Sequence, residues 1–133
     1  MKDKEDLLKF NMGQLELLGY GSHEISKIDF KKNLYIFKTS SASASSFKNL
    51  FGLQKLSKDV YLSGMWAGAL EAISGENVVC IETSCVAKGN QYCEFITKSA
   101  ASWDKATKTK NKYLFNSTQE KKMLDKWKII WQR

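Results

Sequence analysis

The stretch Gly64–Phe95, GMWAGALEAISGENVVCIETSCVAKGNQYCEF, decides the fold. Its first third is rich in Ala, Leu and Gly and belongs to a helix predicted over Leu56 to Ile73, which Gly75 ends. Val78-Val79-Cys80-Ile81-Glu82 follows as a strand of β-branched residues. Ala87-Lys88-Gly89-Asn90 is a turn, and Tyr92-Cys93-Glu94-Phe95-Ile96 is a returning strand, so the two strands form a hairpin. Gly64, Ala67 and Gly68 make a small-residue patch on the helix, while Val60, Tyr61 and Leu70 supply bulk. Each mid-helix glycine costs about 1 kcal/mol against Ala, which predicts a close backbone approach at that patch.

The hairpin also carries the chemistry. Glu82 ends one strand, Cys85 opens the turn and Cys93 starts the return, so the three side chains can converge on one ion. Two soft thiolates and a carboxylate suit zinc rather than magnesium or calcium. The plain alternative is two buried thiols beside a solvated glutamate, and spacing alone leaves both readings open. Cys80 shares the face of Glu82 by the period of two and is expected in the core. The single histidine, His23, is distant in sequence and reads as an ordinary turn residue, so no catalytic residue is nominated.

Outward from the hairpin, Lys4 to Leu18 reads as an amphipathic helix with Leu7, Leu8, Leu15 and Leu18 near one face. Gly19-Tyr20-Gly21-Ser22 stops it. Strands are predicted over Glu24 to Phe30 and Asn33 to Lys38, joined at Lys31-Lys32-Asn33. The first alternates only imperfectly. Thr39 to Ser46, rich in Ser and Ala, is expected to be a connection within the domain. Ser117 and Glu120 have capping-box spacing and open a last helix with Trp127 and Trp131 on its apolar stripe. Antiparallel hairpins packed with helices make the class α+β.

The 133 residues suffice for one core. Net charge is +7, of which +1 lies in residues 1–98 and +6 in residues 99–133. Lysine dominates that basic tail, and its single arginine is Arg133, which argues against nucleic acid as a partner. No apolar run reaches the length of a membrane span, no secretory signal is visible at Met1–Asp6, and three clustered cysteines do not form a disulfide framework. A cytoplasmic protein is expected.

The residues Glu82, Cys85, Gly89, Cys93 and Phe95, after a small-residue helix, resemble the signature of the 4-vinyl reductase domain family. The wider likeness runs from about Leu15 to Lys98. The resemblance implies a fold like that of nitric-oxide sensors and a Golgi tethering subunit. It also implies a zinc site of one Glu and three Cys, as in sensory domains that bind aromatic effectors. Carried over, the ligands fall on Glu82, Cys85 and Cys93. The remaining cysteine position holds Asp59, itself a competent zinc ligand. Residues 1–98 are then the ligand-binding domain, and 99–133 a basic C-terminal extension ending in the amphipathic helix.

The expected function is a zinc-containing module that binds a small apolar or aromatic molecule and acts through a partner or homodimer. Phe37, Tyr61, Trp66 and Phe95 are the candidate pocket walls. The alternatives are a scaffold without ligand, with Trp127 and Trp131 as its docking face, and a reductase-related enzyme. Against the last, no Gly-x-Gly-x-x-Gly fingerprint is present, and no Gly-x-x-x-x-Gly-Lys-Ser/Thr loop supplies an ATPase module.

Overall fold

The structure is a computed structural model and describes residues 3–112, 114 and 115. The chain divides into two units, Met1–Ser99 and Ala100–Arg133. In the first, α1 (Lys4–Leu17) leads to β1 (His23–Asp29) and β2 (Leu34–Thr39), then α2 (Ala42–Phe51) and α3 (Val60–Ser74), and finally β3 (Val78–Ser84) and β4 (Cys93–Ser99). The four strands form an antiparallel sheet in the order β1-β2-β4-β3. The class is α+β, as expected from the hairpins.

Strand register explains how the core is assembled. Ile25 pairs with Phe37, Phe37 with Phe95, and Phe95 with Glu82 across all four strands. Directly opposed residues project to one face, and on this face Tyr35, Phe37, Cys80, Cys93 and Phe95 are buried. Leu62, Trp66 and Leu70 of α3, at helical spacing, close over them. In turn α1 lies against α3 and adds Leu8 and Leu15 to the core. Leu7 and Leu18, expected on the same face, are exposed. A bulge between Ile25 and Lys27 lets Ile25 and Ile28 both pack inward, which accounts for the imperfect alternation of β1. The β1–β2 turn is held by Asp29 Oδ1, which accepts the N–H groups of Lys31 and Lys32 at 3.1 and 3.0 Å.

Three local expectations are corrected. The Ser/Ala-rich connection is the start of a helix: Ser41 caps α2 by accepting the N–H of Ala44 at 3.0 Å, and Ala44 is buried. Residues 56–59 are not helical, because Asp59 is the N-cap of α3 and accepts the N–H of Leu62. Gly64 and Gly68 face outward, and a Cβ at either meets nothing within 4 Å, so no backbone approaches there. Gly75 does end α3, in the left-handed region at φ 75°.

In the second unit, a 3₁₀ turn at Ala100–Ser102 precedes α4 (Lys105–Lys110), whose N-cap Asp104 accepts the N–H of Thr107 at 2.8 Å. The helix predicted beyond Ser117, with Trp127 and Trp131, lies outside the described residues. Among the described residues, no helix is long and apolar enough to cross a membrane.

Candidate metal centre and polar recess

The hairpin brings Glu82, Cys85 and Cys93 together, with one donor atom from each lying within 4.8 Å of the others. A bulge after Glu82 breaks the β3–β4 register, and the chain then enters a tight turn. Within that turn Asn90 Oδ1 accepts the N–H of Cys85 at 3.1 Å, and Cys85 O accepts the N–H groups of Lys88 and Asn90 at 3.0 and 3.2 Å. Gly89 completes it at φ 99°, a conformation that favours glycine. Both cysteines are buried.

Each member of the trio accepts a backbone N–H. Lys58 N–H points at Cys85 Sγ (3.5 Å), Val86 N–H at Cys93 Sγ (3.3 Å) and Asp59 N–H at Glu82 Oε2 (3.1 Å). Such donors stabilise negative charge on sulfur and carboxylate and aim the groups at a common point. The other carboxylate oxygen, Glu82 Oε1, is buried with no hydrogen-bond partner. Burial raises the pKa of Glu82, against the lowering effect of the Cys85 and Cys93 thiols and the Asp59 N–H. Burial likewise pushes both thiols up, with Glu82 adding to the rise. Two soft donors, one hard donor and an orphaned buried oxygen fit a divalent cation of the zinc type. The group is able to bind a metal ion.

Asp59 adjoins this group through its backbone. Its buried carboxylate accepts a hydrogen bond from Ser41 Oγ and caps α3, and it is not among the three donors gathered within 4.8 Å. Cys80 is buried in the core, with its thiol pushed up to about 12 by desolvation.

Of the four candidate pocket walls, three come together. Phe37 stacks on Trp66 with ring centroids 4.1 Å apart and planes 4° from parallel, and Phe95 is the cross-strand partner of Phe37. Tyr61 stands apart on the surface, stacked on Tyr20 at 5.5 Å.

His23, expected in a turn, is instead the first residue of β1. Its ring sits edge-on to Trp66 at 5.3 Å. Both ring nitrogens are buried without hydrogen-bond partners, as are Trp66 Nε1 and Thr39 Oγ1. Burial lowers the pKa of His23, opposed by the nearby charges of Glu16 and Asp59. The imidazole is therefore neutral at pH 7, with one nitrogen a donor and the other an acceptor. A recess of about 240 Å³ opens here, lined in part by Ser22, His23, Lys38, Thr39 and Tyr92. The period of two is the signal available in the sequence, since it sets His23 on the core-facing side together with Ile25.

The stretch with this hairpin is assignable. Residues 60–99 match the 4-vinyl reductase domain. The match runs from the first residue of α3 to the last of β4 and takes in Trp66, Glu82, Cys85, Cys93 and Phe95, in keeping with the resemblance seen in the sequence. The fold is similar to that of the phenol-responsive sensory domain of the transcription activator PoxR, solved with phenol (TM-score 0.69, 16% identity, 86% of this chain and 58% of that one). It is also similar to a vinyl-4-reductase family protein from Methanocaldococcus jannaschii (TM-score 0.52, 22% identity, 72% of this chain and 66% of that one). The chain thus spans less than two thirds of either structure's length, and at these identities the likeness is one of fold. No curated protein matches the sequence.

Proposed function

We propose that this vinyl-reductase-type domain binds a small aromatic molecule carrying a hydroxyl group, and that zinc on Glu82, Cys85 and Cys93 braces the hairpin that walls the site. The observation that carries the ligand is the set of unpartnered polar atoms on His23, Thr39 and Trp66 against the Phe37–Phe95 aromatic wall. Buried polar groups without partners cost about 1–3 kcal/mol each, and a hydroxyl that both donates and accepts would satisfy His23 and the indole N–H together. The fold shared with a phenol-responsive sensory domain supports the same reading. Tyr61, outside the cluster, would serve the rim of the site.

Zinc here is structural. Glu82 and the two thiolates would hold it, and the ion would fix the turn in place of the weak hydrogen bonds that now shape it. The fourth position falls to Asp59, provided its carboxylate leaves Ser41, or else to a water. Thiolate ligands require a reducing compartment, so the protein works in the cytoplasm. The bound state is passed on through a partner or a second copy of the chain.

Calorimetric titration of the zinc-loaded protein with phenol and with toluene tests the reading. Phenol is expected to bind about tenfold or more tightly than toluene, the worth of about one buried hydrogen bond, and His23→Leu should erase the difference. Equal affinity for both compounds in the wild type, or no phenol binding at millimolar concentration, would overturn it.

A further inference from the structure

Two faces of the first unit carry large apolar side chains in solvent, and their charges are opposite. On α1, Leu7, Phe10 and Leu17 recur at helical spacing on the side away from Leu8 and Leu15, and Leu17 is 81% exposed. Between Asp3 and Leu18 this segment has four acidic and two basic residues. The second face spans the end of α2 and the loop after it. Leu50, Phe51, Leu53 and Leu56 are 65 to 75% exposed there, among Lys48, Lys55 and Lys58, with no acidic residue from Ala42 to Lys58.

We propose that these faces bind each other between two copies of this chain, α1 of each protomer lying on the α2 loop of the other in a closed dimer. Clusters of exposed apolar side chains of this size mark interaction sites rather than free surface. Charge decides which partner fits. Pairing α1 with α1 sets acids against acids, and pairing the α2 loop with itself sets lysines against lysines. The crossed arrangement removes both repulsions, and a two-fold axis makes it twice. The α2 loop is also fastened to the metal hairpin: Gln54 N–H donates to Ala87 O at 2.8 Å, and α2 packs against the turn Val86–Lys88. The dimer therefore reads the state of that hairpin directly.

Sedimentation equilibrium of the full chain tests this. The wild type is expected to be a dimer at about 100 µM, a concentration that detects even weak association. Lys48→Glu/Lys55→Glu and, separately, Glu5→Lys/Asp6→Lys should each dissociate more readily by about tenfold or more, since each makes like charges face each other. Mixing the two variants should restore the dimer, because one of the two crossed contacts then pairs the reversed charges with each other and the other keeps the native pairing. This gain of association cannot come from misfolding. Leu50→Ser/Leu56→Ser should be monomeric with an unchanged circular dichroism spectrum. A wild type that stays monomeric, one that grows into larger assemblies, or variants that fail to re-pair on mixing would each overturn the proposal.

Discussion

The backbone N–H of Asp59 donates to Glu82 Oε2 at 3.1 Å, tying the first turn of α3 to the end of β3 beside the two thiols. One residue thus joins two functions, since the side chain of Asp59 caps the helix while its main chain aims a candidate metal ligand.

These roles separate on mutation. Asp59→Ala removes the cap and the acceptor of Ser41, and should cost about 1–2 kcal/mol of stability. Asp59→Asn keeps a capping oxygen and should cost less. Zinc affinity of the Asn variant, measured by chelator competition, then reports ligation alone. A fall identifies the carboxylate as fourth ligand, and unchanged affinity assigns that position to water.

Cys85→Ser and Cys93→Ser should each abolish zinc retention through gel filtration and lower the melting temperature. Glu82→Gln should weaken binding while leaving both thiols in place. Stoichiometric zinc in either serine variant would remove the trio as the site.

Proton release follows from burial. Both thiols are held above their ordinary value, so they are protonated in metal-free protein at pH 7. Zinc binding should then expel about two protons, and affinity should fall steeply with falling pH. A pH-stat measurement that finds less than about one proton per ion contradicts thiolate ligation.

His23 supplies a second pH dependence. Its folded-state pKa is lowered by burial, so the unfolded chain binds the proton more readily. Stability is full above the ordinary histidine value of about 6.5 and declines as pH drops below it. His23→Gln should flatten the melting-temperature profile between about pH 7 and pH 5. An equally steep profile in the variant places the acid sensitivity elsewhere.

Glycine substitutions divide by position. At Gly21, where φ is 104°, a Cβ would collide with the carbonyl oxygen of Ser40, so Gly21→Ala should destabilise by more than about 1 kcal/mol. Gly64→Ala and Gly68→Ala meet nothing within 4 Å on a helix surface, and each should stabilise by about 0.5–1 kcal/mol. Thermal melts of the three variants check both signs.

These glycines show where sequence reasoning runs out. Periodicity locates α1, both hairpins and the convergence of Glu82, Cys85 and Cys93, because strand pairing brings near neighbours in sequence together. It does not tell that the Gly64–Gly68 face looks outward, since nothing local says which side of a helix meets the sheet. The Ser/Ala composition of residues 39–46 hides α2, whose formation depends on the Ser41 cap and on burial of Ala44. His23 escapes notice because its significance lies in a contact with Trp66, forty-three positions away. The ring of Tyr61 suggests a pocket wall, yet its place on the first turn of α3 leaves it on the surface.

The most direct test of the ligand site is the indole N–H resonance of Trp66, assigned by its loss in Trp66→Phe and followed by nitrogen–proton correlation spectra as phenol is added. The account predicts a saturable downfield shift as the unpartnered donor gains an acceptor, with toluene producing no such shift. A resonance that phenol leaves unmoved, while binding is seen elsewhere in the spectrum, would contradict the assignment of His23 and Trp66 as the polar anchors.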